Sequence, residues 1–113
     1  LILLVAHLSL GPTARKRQFA FLAELIGRQK HVVLMGDLNC TIHSTELKAL
    51  FQKTSLTPPD SAPPTTYPSW RPRRAIDHIL TTPTVRVESL RTLPHPVSDH
   101  LPLAATINVP MRL

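Results

Sequence analysis

Residues 31–39 read His-Val-Val-Leu-Met-Gly-Asp-Leu-Asn, and this stretch decides the fold. His31 to Met35 is a short apolar run rich in β-branched valine, which predicts a strand, and it stops at the turn-prone Gly36-Asp37-Leu38-Asn39. Working backwards, Leu1 to Leu8 (LILLVAHL) is a continuous apolar run that predicts a strand buried on both faces, with His7 delivered at its C-terminal end. Between the two, Pro12 to Gln29 reads as a helix. Phe19, Leu22, Leu25 and Ile26 recur at helical spacing, Arg15, Lys16, Arg17 and Arg28 fall on the solvent side, and Gly27 marks the end. Strand, helix, strand makes a βαβ-like unit, and parallel strands bring their C-terminal ends together. A histidine in such a place is most often a hydrogen-bonded structural residue, but if the two parallel strands share one edge, His7 shares a mouth with Asp37.

Working forwards, Ser44 or Thr45 is placed to cap a short helix with Leu47, Leu50 and Phe51 as its apolar stripe. From Pro58 onward the chain carries eleven of its twelve prolines, and residues 57–74 (TPPDSAPPTTYPSWRPRR) predict a long irregular connection. A functional surface loop is the preferred reading, because three strand-like runs follow (Ala75 to Thr82, Thr84 to Leu93, Leu101 to Val109) and neither side is large enough to fold alone. The fold class expected is therefore α/β, a mixed sheet with flanking helices. No internal repeat is seen.

At 113 residues the chain allows one domain at most. Its 13 Lys and Arg against 7 Asp and Glu give a net charge of +6, which favours anionic partners such as nucleic acid, nucleotides or lipid headgroups without choosing among them. Cys40 is the only cysteine, so an intrachain disulfide is excluded and the redox compartment is left open. The opening apolar run is far too short to span a bilayer, so no transmembrane segment is expected. The compartment stays unassigned, with the cytoplasm as the default expectation. A chain that opens on a core strand with no preceding methionine is expected to be a fragment.

Three of the four aspartates fall in short clusters at strand ends: Asp37, Asp77 in Ile76-Asp77-His78, and Asp99 in Ser98-Asp99-His100. In a chain this poor in acids, that placement points to a site. Asp37 and Asn39, two apart on an extended backbone, would project to one side and address one ligand, with Gly36 allowing a tight turn before them; an ordinary turn after a strand is the alternative. In Ser98-Asp99-His100 a carboxylate suits a hard metal while the imidazole accepts a proton from water near neutral pH; an exposed polar turn is the alternative. Asp77, among apolar neighbours, needs a partner. A histidine held in one tautomer satisfies it, as does an ion pair to Arg73, Arg74 or Arg86. His78 is assigned to packing or surface. Tyr67, Trp70, Arg71, Arg73 and Arg74 form either a stacking and phosphate-contacting patch or, as preferred, a loop pinned on the core by Trp70 with a solvated basic rim.

In this order, a strand ending in His-Leu, Gly-Asp-Leu-Asn, Ile-Asp-His-Ile-Leu and Ser-Asp-His-Leu-Pro-Leu, the chain resembles the C-terminal half of the endonuclease/exonuclease/phosphatase superfamily, the DNase-I-like fold, from Ile2 to Ile107. HLSLGPTARKRQ and TYPSWRPRRAIDHIL look further like a bacterial branch of uncharacterised members. The resemblance implies that residues 1–113 are the C-terminal half of a four-layer α/β sandwich. It implies a divalent-metal-dependent phosphoesterase, nuclease-like, that hydrolyses a phosphodiester by general-base activation of water. His100 would be the base, Asp77 its orienting group, and Asp99 a ligand of Mg2+ or Mn2+. Asp37 and Asn39 would contact the scissile phosphate or the metal, and His7 would hydrogen-bond a phosphate oxygen; Trp70 and Arg71 are the further substrate-binding candidates. Nucleic acid, nucleotides, inositol phosphates and sphingolipids all occur as substrates in the family. Its members also carry an N-terminal half with a second sheet, a metal-binding glutamate and a further asparagine. Neither position exists here, and Glu24 sits in the wrong kind of segment to substitute. The missing N-terminal half is thus an expected partner, and this chain alone is expected to be inactive and, with one apolar face bare, prone to self-association. The competing reading is a catalytically incomplete remnant or binding module for an anionic partner.

Overall fold

In a computed structural model of the chain, residues 1–111 are described. The elements run β1 (Ile2–His7), α1 (Pro12–Ile26), β2 (Val32–Asp37), α2 (Thr45–Lys53), β3 (Asp77–Thr81), β4 (Arg86–Thr92) and β5 (Leu103–Asn108). They build two sheets, a mixed one in the order β1-β2-β3 and an antiparallel pair β4-β5. The expected mixed α/β fold is therefore present, with element ends shifted by a residue or two from the sequence-based bounds.

α1 starts where Pro12 fits the first turn, which needs no backbone donor, and ends at Gly27, whose φ of 50° suits a residue without Cβ. It buries Phe19, Leu22 and Ile26, one face at three- and four-residue spacing. Ser44, not Thr45, caps α2: its hydroxyl oxygen accepts the Leu47 N–H, and Leu47 and Leu50 face inward. Both helices pack on one face of the mixed sheet, where Val32, Leu34, Leu38 and Leu80 meet Leu22, Ile26, Leu47 and Leu56 in a single core.

β1 pairs in parallel with β2, from Ile2 opposite Val32 to His7 opposite Asp37, and β3 runs antiparallel on the other side of β2, placing Asp77 opposite Asp37. This register brings three strand-end residues to one edge of the sheet. Leu8 N–H to the Asp37 carbonyl, 2.8 Å, and Leu38 N–H to the Ile76 carbonyl, 3.0 Å, carry the ladder past the strand ends and hold the departing chains together.

Two expectations are corrected here. β1 is not buried on both faces: Leu3 and Val5 are 55% and 79% exposed. The reason is position, since β1 is the sheet's edge and has a helix layer on only one side. Gly36 does not form a turn before Asp37; it lies inside β2 with φ 136°, and a Cβ there would sit 1.9 Å from the Ala6 carbonyl oxygen. Its role is close approach of two backbones, which only glycine permits.

Candidate active site

The loop after β2 turns at once. Asn39 adopts a left-handed φ of 50°, and its N–H donates to Asp37 Oδ1 at 2.9 Å, an Asx-type turn that holds the carboxylate. The Asn39 side chain then points inward, and its Nδ2 donates to the Leu8 carbonyl. Asp37 and Asn39 therefore do not project to one side of an extended strand as expected, because the turn rotates them apart. Asp37 Oδ2 is left facing the site mouth, 3.5 Å from His7 Nε2 and 3.6 Å from His100 Nε2. The His7 side chain is 79% exposed, and its ring lies within reach of Asp37, as the shared mouth required.

Asp77 opens β3. Its Oδ2 accepts two donors, the His100 Nδ1–H at 2.7 Å and the Thr66 hydroxyl. The imidazole is thus presented with Nδ1 on Asp77 and Nε2 turned toward Asp37. A base nitrogen free at Nε2 is the tautomer that an Nδ1–H bond to a carboxylate selects. Of the two partners left open for Asp77, histidine is the one found; among the described residues its ion pair is with His100 and not with Arg73, Arg74 or Arg86. Burial works against the charged His100 ring, but the Asp77 hydrogen bond and the charges of Asp77, Asp37 and Asp99 outweigh it, so its pKa lies above the ordinary histidine value. The Tyr67 ring packs on His100 at 4.9 Å between centroids, tilted by 48°.

The neighbouring His78 behaves oppositely. It is buried on the other side of β3, its Nε2–H donates to the Cys40 carbonyl at 2.8 Å, and burial drives its pKa down despite that bond and the nearby carboxylates. Its assignment to packing is what the geometry shows.

Asp99 lies next to His100 in an exposed loop, close enough for its charge to act on that ring. It is not drawn into the group of donors formed by Asp37, Asp77 and His100, whose ligand atoms all lie within 4.8 Å of one another. Trp70 is 74% exposed and Arg71, Arg73 and Arg74 are exposed, so Trp70 does not pin the loop. The pin is Thr66, wholly buried, together with Tyr67. Thr66 had no role in the sequence reading, and Tyr67 was considered there only for the stacking patch. The signal available was weak: a polar Thr-Tyr pair amid prolines, shortly before the Ile-Asp-His run. Beside Asp77 and His100 opens a cleft of about 350 Å³ walled by Val5, Met35, Ile79 and Leu101.

The profile of the Endonuclease/Exonuclease/phosphatase family matches residues 7–100, from the histidine at the end of β1 to the histidine beside Asp77. The chain belongs to the endonuclease/exonuclease/phosphatase family. Solved structures agree on the fold. A conserved protein of unknown function from Enterococcus faecalis V583 superposes with a TM-score of 0.77 at 21% identity, over 96% of this chain and 50% of that one. A mannosyl-6-phosphatase from Bacteroides thetaiotaomicron VPI-5482 gives 0.76 at 21% identity, over 94% and 50%. Sphingomyelinase C from Streptomyces griseocarneus gives 0.52 at 21%, over 91% and 51%. This family member spans about half the length of the solved structures it matches. No curated protein sequence matches it. No described helix is long and apolar enough to cross a membrane.

Proposed function

We propose that the protein carrying this chain is a phosphoesterase in which His100 activates water for in-line attack on phosphorus. The observation that carries the reading is the His100 ring itself. It is anchored through Nδ1–H on Asp77 at 2.7 Å, with Nε2 facing the open side of Asp37. An oriented imidazole with one free nitrogen is the arrangement a general base needs. Asp77 fixes the tautomer and balances the imidazolium that forms when the proton is taken. His7, exposed at the same edge, is positioned to donate a hydrogen bond to a phosphate oxygen as charge gathers there.

A divalent cation, Mg2+ or Mn2+, fits the donors present. Asp77 Oδ2 already serves two donors and Asp37 Oδ1 serves the Asn39 N–H, but Asp37 Oδ2 has only contacts beyond hydrogen-bond length. A hard cation held by one or two carboxylates and completed by water and phosphate is usual for such sites. Asp37 would hold it through Oδ2, and Asp99, which lies outside the group of donors in this structure, would have to swing in with its exposed loop to serve as a second carboxylate. Bound there, it would supply charge neutralisation at the phosphate and stabilise the leaving oxygen. Asn39 serves this site by shaping the Asp37 turn, while Trp70 and Arg71, both exposed on the adjoining loop, are available for the remainder of an anionic substrate.

The test is turnover of bis(p-nitrophenyl) phosphate and p-nitrophenyl phosphate by the full-length protein with and without Mg2+. His100→Ala is expected to lower kcat by about 100-fold or more, and chelation to abolish turnover; a variant as fast as the wild type removes His100 as the base. The exposed group Trp70, Arg71, Arg73 and Arg74 favours one second reading, a binding module for a polyanion. That reading predicts metal-independent, strongly salt-dependent binding of single-stranded nucleic acid.

A further inference from the structure

We infer that Thr66 is a positioning residue of this site: its hydroxyl, donated to Oδ2 of Asp77, holds that carboxylate in the orientation that serves His100. The role rests on His100 being the base, as proposed above. Three bonds from this one residue reach both halves of the pair. Its N–H donates to the Arg74 carbonyl at 2.9 Å, fixing the chain that leads into Asp77. Its carbonyl accepts the Leu101 N–H at 2.8 Å, fixing the residue after His100. Its hydroxyl goes to Asp77 itself.

The loop bearing His100 needs such a template. Residues 98–101 lie outside any strand, and Ser98 and Asp99 are exposed. What holds them is the proline-rich hairpin closed by the antiparallel bridge of Tyr67 and Arg74: the Ser69 N–H donates to the Asp99 carbonyl at 2.8 Å and the Ser69 hydroxyl to the Ser98 carbonyl at 2.6 Å, while Tyr67 packs on the His100 ring. A carboxylate oxygen that accepts only from a ring is free to rotate about its terminal torsion, which is broad and roughly two-fold. A second donor from a wholly buried, backbone-anchored side chain removes that freedom. The Thr66 side chain is wholly buried, so what its hydroxyl contributes passes through Asp77, while its backbone bonds are kept in every Thr66 variant.

The experiment compares wild type, Thr66→Val, which keeps shape and loses the donor, and Thr66→Ser, which keeps the donor, in the full-length protein. With bis(p-nitrophenyl) phosphate, Thr66→Val is expected to lose about 10- to 100-fold in kcat with little change in KM, and Thr66→Ser to return most of it. An unchanged kcat, a loss carried by KM, or a serine variant as slow as the valine variant overturns the role. A second readout needs no activity: in 15N-histidine-labelled protein, the hydrogen-bonded Nδ1 proton of His100 is expected in wild type and Thr66→Ser and broadened or lost in Thr66→Val. The same resonance in all three also overturns it. If wild type hydrolyses no phosphate ester, or His100→Ala is as fast, the base assignment falls and the ring proton decides whether Thr66 holds the pair. Should Thr66→Val not fold, Thr66→Cys, a weak donor of similar size, replaces it, and turnover or ring-proton intensity equal to that of Thr66→Ser counts against the inference.

Discussion

β1 and β2 are both apolar runs, pair in parallel in unbroken register, and each ends on a residue of the candidate site, yet they live in different environments. Val32, Val33 and Leu34 of β2 are at most 1% exposed, whereas Leu3 and Val5 of β1 are 55% and 79% exposed. Apolar composition marked both as strands; neighbours decided which one is buried. β2 lies between β1 and β3 and beneath two helices, so Asp37 ends the one strand of this sheet that is paired on both sides. β1 has one neighbouring strand, and its terminal His7 stands in solvent. The site edge thus pairs a half-buried carboxylate, tied by its own turn, with an exposed imidazole.

The sharpest way to break this pair of strands is at Gly36. Gly36→Ala drives a methyl into the Ala6 carbonyl and imposes a positive φ on a residue with Cβ, so β1 must separate from β2. A loss of about 3 kcal/mol or more is expected, read as a lowered urea midpoint or as failure to fold. Gly11, with open space and φ of −68°, is the control; alanine there is expected to cost at most about 1 kcal/mol.

A smaller effect separates the two strands by burial. Leu34→Ala is expected to cost about 2–5 kcal/mol, because the core around it cannot collapse fully, whereas Val5→Ala on the bare face should change stability by less than about 0.5 kcal/mol. Equal costs in chemical denaturation would mean that β1 is covered in solution. Val5→Lys is the companion change: it should reduce self-association of the 113-residue chain seen by sedimentation, since it charges an open edge.

The smallest effect is in pH, and it comes from the two histidines on either side of the Asp77 strand end. His78 has its pKa lowered by burial, so the stability it contributes is present above the ordinary value of 6.5 and is lost as pH falls through its folded value. His100 has its pKa raised, burial being outweighed by Asp77 and the other carboxylates, so its contribution is present below 6.5 and is lost as pH rises through its folded value. Melting temperatures measured with chelator between about pH 5 and 8 should therefore lose their acid-side decline in His78→Asn and their alkaline-side decline in His100→Asn. Parallel curves for all three proteins would contradict the opposed shifts.

Much of the candidate site was legible because polar residue types stand out beside apolar strand runs. Asp37, Asp77 and His100 are conspicuous polar residues where apolar runs stop, and a βαβ reading was enough to bring His7 and Asp37 to one edge. Less legible was anything set by a turn. Nothing local told that Asn39 would adopt a left-handed conformation and spend its side chain on the Leu8 carbonyl, or that Trp70 would stand in solvent while Thr66 carried the loop inward. Those outcomes depend on residues roughly thirty positions away or on a carboxylate of another strand, and local propensity carries no record of either.

By itself, the sequence determined the element types, the parallel pairing of the first two strands and the identity of the polar residues at their ends, because periodicity and side-chain chemistry are local properties. Only the tertiary structure decided that β1 is an edge, that Gly36 serves close approach, and that Asp77 takes His100 and Thr66 rather than an arginine. Each of these is a contact between distant parts of the chain, chosen by the register of β1, β2 and β3 and by how the proline-rich hairpin folds back over the strand ends.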